Sequence, residues 1–162
     1  MIIPASSPFA YSLNLHFTGN FVALKKKVMA SSPEVKVYKL VLHRLKTFKE
    51  LSDTFNSCYP YLKLGFYEHT HKQKKSSPSE ELMQEGLKLE EVCEEIPFMV
   101  IDIEEHKIVA ELEEELQEKL GLGVQVLRWV RNRWSQTTFN DDWSLQRHNK
   151  EAEVDDKMFG EM

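Results

Sequence analysis

Residues 128–134 have the types and spacing that could bind an anionic or flat partner. Arginine alternates with tryptophan along this stretch, at Arg128, Trp129, Arg131, Arg133 and Trp134. Guanidinium groups pair with carboxylates and phosphates, and indole rings stack on bases or on apolar partner surfaces. Successive residues of a strand point to opposite faces, so a hairpin built here must bury at least some of its rings. We take these five residues as candidate binding residues, for a protein partner first and for nucleic acid second.

A second candidate site contains two histidines. His69 and His71 are separated by one residue, which places both imidazoles on one side of an extended chain. Imidazole is a common ligand of transition metals, so these two residues are candidate metal ligands. The neighbouring Lys72, Lys74 and Lys75 would repel a cation. A metal-binding protein is therefore a further alternative, behind the interaction and nucleic-acid functions.

Other chemistries find little support in the sequence. It contains no GxGxxG or GxxxxGK[ST] phosphate loop, no GxSxG nucleophile motif and no HExxH. Cys58 falls on the apolar stripe of a predicted helix, and Cys93 stands among glutamates that would disfavour its thiolate. We expect Glu113, Glu114 and Glu115 on the solvated face of their helix. The sequence thus favours a protein without catalytic residues or cofactor.

The charge of the chain is unevenly distributed. Residues 1–79 carry 12 Lys and Arg against 4 Asp and Glu, whereas residues 80–122 carry 3 against 15. This segregation favours neutralisation within the fold or between chains. No membrane-spanning run and no secretory signal is recognisable, and the two cysteines form no CxxC pair. We expect a cytoplasmic protein with reduced thiols and no membrane partner.

Hydrophobic periodicity predicts an alternation of strands and helices. Thr47 and Glu50 have capping-box spacing, and Gly121 stands where a left-handed helix cap belongs. A tight turn is expected at Arg131–Asn132. The predicted strands cover residues 35–45, 61–69 and 97–105, and two more form the 123–139 hairpin. Three helices are predicted. The first starts at residue 47, the second starts at residue 107, and the third covers residues 144–153.

These elements predict a single α+β domain over residues 35–154, with a mixed β-sheet backed by helices. The segments FKELSDTFNSCYPYLKLGFYE and VAELEEELQEKLGLGVQVLRW resemble each other weakly and each follow a strand. The domain would therefore contain two strand–helix–strand units plus a C-terminal hairpin and helix. We expect residues 1–34 to be a poorly ordered extension and residues 155–162 to be a tail.

The segment TTFNDDWSLQRHNKEAE, residues 137–153, could form either a binding site or the closure of the fold. Ser144 is a good helix cap, Asp141 is its rival, and Trp143 is expected to pack on the sheet. These features together favour a capped closing helix.

Residues 109–153 also resemble the C-terminal part of a small uncharacterised bacterial protein family. Its pattern is a helix ending in glycine, a V-x-V strand, a Trp-containing strand ending in Thr-Thr, and a D-x-W-[ST]-L-x-x-x-N helix start. The matching residues are Trp134, Thr137, Thr138, Asp141, Trp143, Ser144, Leu145 and Asn149. The resemblance covers residues 35–153 more loosely. It implies a cytoplasmic bacterial α+β protein and brings no activity with it.

From the residues we expect a non-enzymatic interaction or regulatory module that self-associates, at least as a homodimer. The expected contact elements are the 123–139 hairpin and the acidic helix at 107–120.

Overall fold

The computed structural model describes residues 35–70, 72, 75–96 and 98–159. The elements in this part of the chain are β1 (Val37–Leu42), α1 (Phe48–Cys58), β2 (Leu62–Tyr67), α2 (Leu89–Val92), β3 (Met99–Glu104), α3 (Val109–Leu120), β4 (Gly123–Val130), β5 (Arg133–Gln136) and α4 (Leu145–Phe159). The predicted α+β class is confirmed. The extension predicted for residues 1–34 lies outside the described residues, as do residues 160–162 of the predicted tail. Residues 155–159 of that tail belong to α4.

The strands form two antiparallel sheets, where the sequence analysis expected one mixed sheet. One sheet is the β1–β3 ribbon, and the other has the order β2-β4-β5. The strands before and after α1 therefore lie in different sheets, and so do the strands before and after α3. The similarity between the two sequence segments had identified the two units correctly. However, each strand pairs with the equivalent strand of the other unit.

A pseudo-twofold relation connects the two units. In the β1–β3 ribbon Leu40 pairs with Ile101, and each of these residues lies eight positions before the first residue of α1 or α3. In the other sheet Leu64 pairs with Val126, and each lies six positions after the last residue of α1 or α3. One pair of equivalent residues thus face each other in each sheet.

Each unit also closes with the same set of backbone hydrogen bonds, which we call the helix-start clasp. In the first unit the amides of Phe48 and Lys49 donate to the carbonyls of Leu87 and Glu85. In return, the amides of Leu89 and Glu90 donate to the carbonyls of Lys46 and Arg44. The first amides of a helix have no partners within the helix. Here the carbonyls before α2 accept from the first amides of α1, and the carbonyls before α1 accept from the first amides of α2.

The second unit repeats the clasp at equivalent positions. Val109 and Ala110 donate to the carbonyls of Trp143 and Asp141, and Leu145 and Gln146 donate to those of Lys107 and Glu105. The first two residues of every helix in both clasps bond to carbonyls two and four positions before the partner helix. α3 and α4 are therefore joined as α1 and α2 are.

Both sheets contribute to one hydrophobic core, together with α1, α3 and the first residues of α2 and α4. The ribbon turns Leu40, Leu42, Ile101 and Ile103 inward, all fully buried or nearly so. Burying side chains of this size contributes roughly 1.5–3 kcal/mol each. The other fully buried large side chains are Phe48, Phe55, Leu51, Leu62, Leu89, Leu112, Leu116 and Leu145.

Three local predictions are confirmed at the ends of these elements. The Thr47 hydroxyl accepts from the Glu50 amide and the Glu50 carboxylate accepts from the Thr47 amide, so the capping box is complete. Gly121 ends α3 with a φ of 69°, in the left-handed region that favours glycine. Arg131 and Asn132 both have positive φ values, of 48° and 62°, as the two-residue hairpin turn requires.

Within the described residues, no helix has the length and apolar character needed to cross a membrane.

Candidate functional site

The Arg/Trp hairpin separates its candidate residues onto two faces. Trp129 pairs with Trp134, and the rings meet edge to face with centroids 5.1 Å apart. Lys63 from β2 places its ammonium 5.2 Å from the Trp134 ring centroid. Arg128 pairs with Ser135 on the opposite face, because neighbouring strand residues alternate. The indoles therefore pack on each other and on a lysine, away from Arg128.

The remaining two arginines lie at the tip of the hairpin. Arg131 is in the turn, with its guanidinium 5.5 Å from the ring centroid of Phe159 at the end of α4. Arg133 pairs with Val130 on the same face as Arg128. Of the described part of the hairpin, one face is rich in arginine and the other in indole, so the five candidate residues do not line one common surface.

His69 lies just beyond β2, with a side chain 74% exposed and Nδ1 3.3 Å from a carboxylate oxygen of Glu81. His71 lies outside the described residues. Among the residues that are described, no three His, Cys, Asp or Glu side chains come together as a metal-binding group.

The D-x-W-S-L segment has a structural role. Asp141 and Trp143 supply the carbonyls that accept from α3 in the clasp, and Leu145 begins α4 fully buried. The Ser144 hydroxyl accepts from the Arg147 amide at 3.3 Å, as expected of a cap. This segment closes the fold, which is the favoured prediction for it.

Other residues of the same motif fasten neighbouring elements. The Thr137 hydroxyl donates to the Val126 carbonyl, and the Asn149 side chain accepts from the Tyr61 amide. The Trp143 ring lies 3.6 Å below the Arg147 guanidinium and 5.2 Å from the His148 ring. Trp143 thus packs against the first turns of its own helix, where the sequence analysis expected it on the sheet.

The position of Glu113 is the main correction to the predictions made from the sequence. The sequence analysis placed it on a solvated helix face, but its residue is only 5% exposed. Its Oε1 accepts from the Val126 amide at 2.7 Å. Burial raises the pKa of the Glu113 carboxyl to about 8, and the nearby Asp141 acts in the same direction. The bond is needed because β5 ends at Gln136 and leaves the Val126 amide without a strand partner.

Ser52 has the equivalent role in the first unit. Ser52 is the fifth residue of α1, as Glu113 is the fifth residue of α3. Its hydroxyl accepts from the Leu64 amide at 3.2 Å and donates to the Leu64 carbonyl at 3.0 Å. Leu64 and Val126 face each other across the sheet, so each unit uses a helix side chain to satisfy the same strand position.

His148 is a second buried ionisable group of the α3–α4 unit. Its residue is 1% exposed, and Nε2 lies 2.7 Å from the Asn140 carbonyl oxygen. Burial lowers the pKa of His148 to about 4, and the nearby Arg128 and Arg147 act in the same direction. The imidazole is therefore neutral near pH 7 and serves packing.

The outward face of the β1–β3 ribbon carries a mixed surface. Val41 pairs with Val100, Lys39 with Asp102, and Val37 with Glu104. Val37 and Val100 are 50% and 45% exposed, and Lys39 and Asp102 form an exposed ion pair at 2.7 Å. One face of an antiparallel sheet is often solvated, but its residues are then mostly polar.

Further apolar residues extend this face at the two ends of the ribbon. Phe98, just before β3, is 67% exposed, and its ring meets that of His43 at 6.3 Å. Val35 and Leu45, which flank β1, are also exposed. Half of the exposed large apolar side chains in the described chain thus lie on or beside the ribbon.

Two clefts lie elsewhere on the surface. The first, of about 630 Å³, is lined by Arg44, Glu90, Cys93, Glu94, Glu95 and Ile96. Two of these residues, Arg44 and Glu90, form an ion pair at 2.9 Å, and burial raises the pKa of the Cys93 thiol. The second, of about 560 Å³, is lined by Lys75 and Ser76, by Ser135 and Gln136 of β5, and by Thr138 and Phe139. Glu113 and His148 line neither cleft.

Comparison of the chain with protein-family models, with curated proteins and with solved structures gave no match.

Proposed function

We propose that this protein is a non-enzymatic interaction module that self-associates through the outward face of the β1–β3 ribbon. The observation that carries the proposal is the pair of half-exposed valines, Val37 and Val100, on a sheet face that nothing described in the chain covers. Burial of such a face against a second copy would remove apolar surface from water. We assign the contact to the ribbon and not to the hairpin because the hairpin indoles already pack on each other.

The charges of the ribbon fit a face-to-face dimer. A twofold axis parallel to the strands would lay β1 of one copy over β3 of the other without shifting either along the axis. Lys39 would then lie opposite Asp102 of the second copy, and Val41 opposite its Val100, since these residues are in register. Each copy would repeat the same contacts, as a symmetric interface requires.

Charge also argues against dimers formed edge to edge. Joining two β1 edges would bring Lys39 near its own counterpart, and joining two β3 edges would do the same for Asp102. Charged side chains on edge strands discourage this kind of pairing. Face-to-face packing is the arrangement in which opposite charges meet.

Sedimentation equilibrium of a matched pair of variants tests the surface. We expect a dimer at about 50 μM chain, and we expect Val100→Lys to weaken it about tenfold or more. Val154→Lys on α4 is the control, because Val154 has the same 45% exposure away from the ribbon. A protein that remains monomeric at this concentration, or equal effects of the two variants, would refute the proposal.

A charge exchange tests the geometry. Lys39→Asp and Asp102→Lys should each be monomeric, because like charges would face each other twice in the homodimer. Mixing the two variants should give a heterodimer in which every facing pair is opposite in charge. Both variants lose the internal Lys39–Asp102 pair, so restored association cannot come from that pair. Failure of the mixture to associate, while the unmodified chain dimerises, would exclude this geometry.

A further inference from the structure

We infer that the outer edge of β5 and the cleft beside it bind an extended acidic peptide segment of a partner protein. This site lies on the second sheet, away from the ribbon, and does not depend on self-association. Three observations support it: the backbone groups of β5 that point away from β4, the exposed ring of Phe139, and a lining that contains Lys75 but no carboxylate.

The hairpin geometry fixes which backbone groups face outward. The turn at Arg131–Asn132 makes Val130 and Arg133 a hydrogen-bonded pair, and such pairs alternate along an antiparallel ladder. The Thr137 amide donates to the Val126 carbonyl, as that alternation requires. The amides and carbonyls of Trp134 and Gln136 must therefore point away from β4, toward the open edge.

Residues of β5 line the cleft together with Lys75 and Ser76, and two glutamines fasten the segment that contains Lys75 and Ser76. Gln125 donates from Nε2 to the Lys75 carbonyl. Gln136 accepts from the Ser77 amide through Oε1 and donates from Nε2 to the Ser77 carbonyl. These bonds fasten residues 75–77 to the sheet. The cleft has a volume of about 560 Å³. This volume is in the range of ligand sites, and three extended residues span about 10 Å.

The charge of the lining favours an acidic segment. It consists of Lys75, Ser76, Ser135, Gln136, Thr138 and Phe139, which include one cation and several hydrogen-bonding groups but no carboxylate. The hydroxyl oxygens of Thr138 and of the neighbouring Ser77 are buried and have no hydrogen-bond partner among the described residues. Buried hydroxyls are usually paired, and the unpaired hydroxyl of Thr138 belongs to a residue that lines the cleft.

Phe139 supplies an apolar contact at the mouth of the cleft. Its side chain is 94% exposed, the highest value among the exposed large apolar residues. A peptide strand paired with β5 would place alternate side chains on the two sheet faces, one toward this ring and one toward Lys75. Strand addition of this kind obtains affinity from the backbone and specificity from the alternate side chains.

The test uses a defined probe and backbone NMR of the full chain. The probe is an acetylated and amidated pentapeptide that alternates glutamate and valine. We expect it to shift the amide signals of Trp134 and Gln136 and to slow their exchange with solvent. The same peptide N-methylated at alternate residues, which lacks the needed donors, should shift neither signal. A lysine–valine peptide should bind at least tenfold more weakly.

Two variants test the side-chain contacts. Phe139→Ala and Lys75→Glu change exposed residues, so the fold should persist, and each should weaken probe binding about fivefold or more. Phe98→Ala, which removes an exposed ring on the ribbon, is the matched control and should have no effect. The inference is overturned if the probe produces no shift at β5 at millimolar concentration, if the N-methylated peptide binds equally, or if neither variant weakens binding. The Lys39→Asp variant separates the two proposals, because it should bind the probe normally while failing to dimerise.

Discussion

The two units solve the same backbone problem with different chemistry. Leu64 and Val126 occupy equivalent strand positions, and each has an amide that a helix side chain must satisfy. Ser52 does so with a neutral hydroxyl that serves both the amide and the carbonyl. In the second unit the task is divided between the Glu113 carboxyl and the Thr137 hydroxyl. Equivalent geometry therefore gives the strand amide a neutral partner in one unit and a titrating partner in the other.

The largest expected effects test whether the two clasps are equally important. Leu89 and Leu145 are the first residues of α2 and α4, and both are fully buried. Leu89→Ala and Leu145→Ala should each lower the free energy of unfolding by about 2–5 kcal/mol through the cavities they leave. Urea denaturation measures both. If only one variant loses stability, the two clasps have equivalent geometry but contribute unequally to the free energy of unfolding.

The second effect distinguishes the carboxyl from the hydroxyl. Because the pKa of Glu113 is raised from 4.5 to about 8, the stability it contributes is present below pH 4.5 and lost as the pH rises through 8. The unmodified chain should lose on the order of 3 kcal/mol between about pH 5 and about pH 9. Glu113→Gln keeps an acceptor for the Val126 amide, so its stability should be nearly level over the alkaline part of this range.

Alanine variants provide the matched control for that experiment. Glu113→Ala should cost about 1–3 kcal/mol at pH 6, since it leaves a buried amide unpaired. Ser52→Ala should cost a similar amount, but the cost should not vary with pH. Thermal denaturation at several pH values measures all three variants. A pH-dependent cost in Ser52→Ala would contradict the assignment of the titration to Glu113.

The smallest expected effect is the pH dependence of stability that His148 causes, and it can be measured in the Glu113→Gln variant. The folded pKa of His148 is lowered from 6.5 to about 4, so its contribution is present above pH 6.5 and lost as the pH falls through 4. In the unmodified chain, protonation of Glu113 opposes this loss between pH 4.5 and pH 6.5. Glu113→Gln should therefore lose on the order of 2 kcal/mol between about pH 7 and about pH 4. Level stability over this range would show that His148 titrates normally.

Local features of the fold could be predicted because neighbouring residues determine them. The Thr47–Glu50 box, the left-handed Gly121 and the Arg131–Asn132 turn each depend on conformations available within a few residues. The apolar stripe of α3 is of the same kind, because Leu112, Leu116 and Leu120 recur every four residues and all three are buried. The amphipathic period was enough to find them.

Long-range features could not be predicted in this way. Pairing of β1 with β3 joins residues such as Leu40 and Ile101 that are distant in the chain, and no local period specifies it. Glu113 looked like its neighbours Glu114 and Glu115, since nothing in the sequence marks the strand amide that it must reach. Alignment of the two similar segments would have set Glu113 against Ser52. That alignment was the available signal for an inward polar residue.

The crossing of strands between the two sheets has a consequence for how the chain acquires its structure during synthesis. When translation has reached residue 96, β1 and β2 are both complete but neither has its strand partner, since β3 and β4 lie further on. Most of the tertiary contacts must therefore wait for the second half, and such distant pairings make folding slow. During that interval the half-made chain exposes two unpaired hydrophobic strands, the state in which nascent proteins most need protection from aggregation.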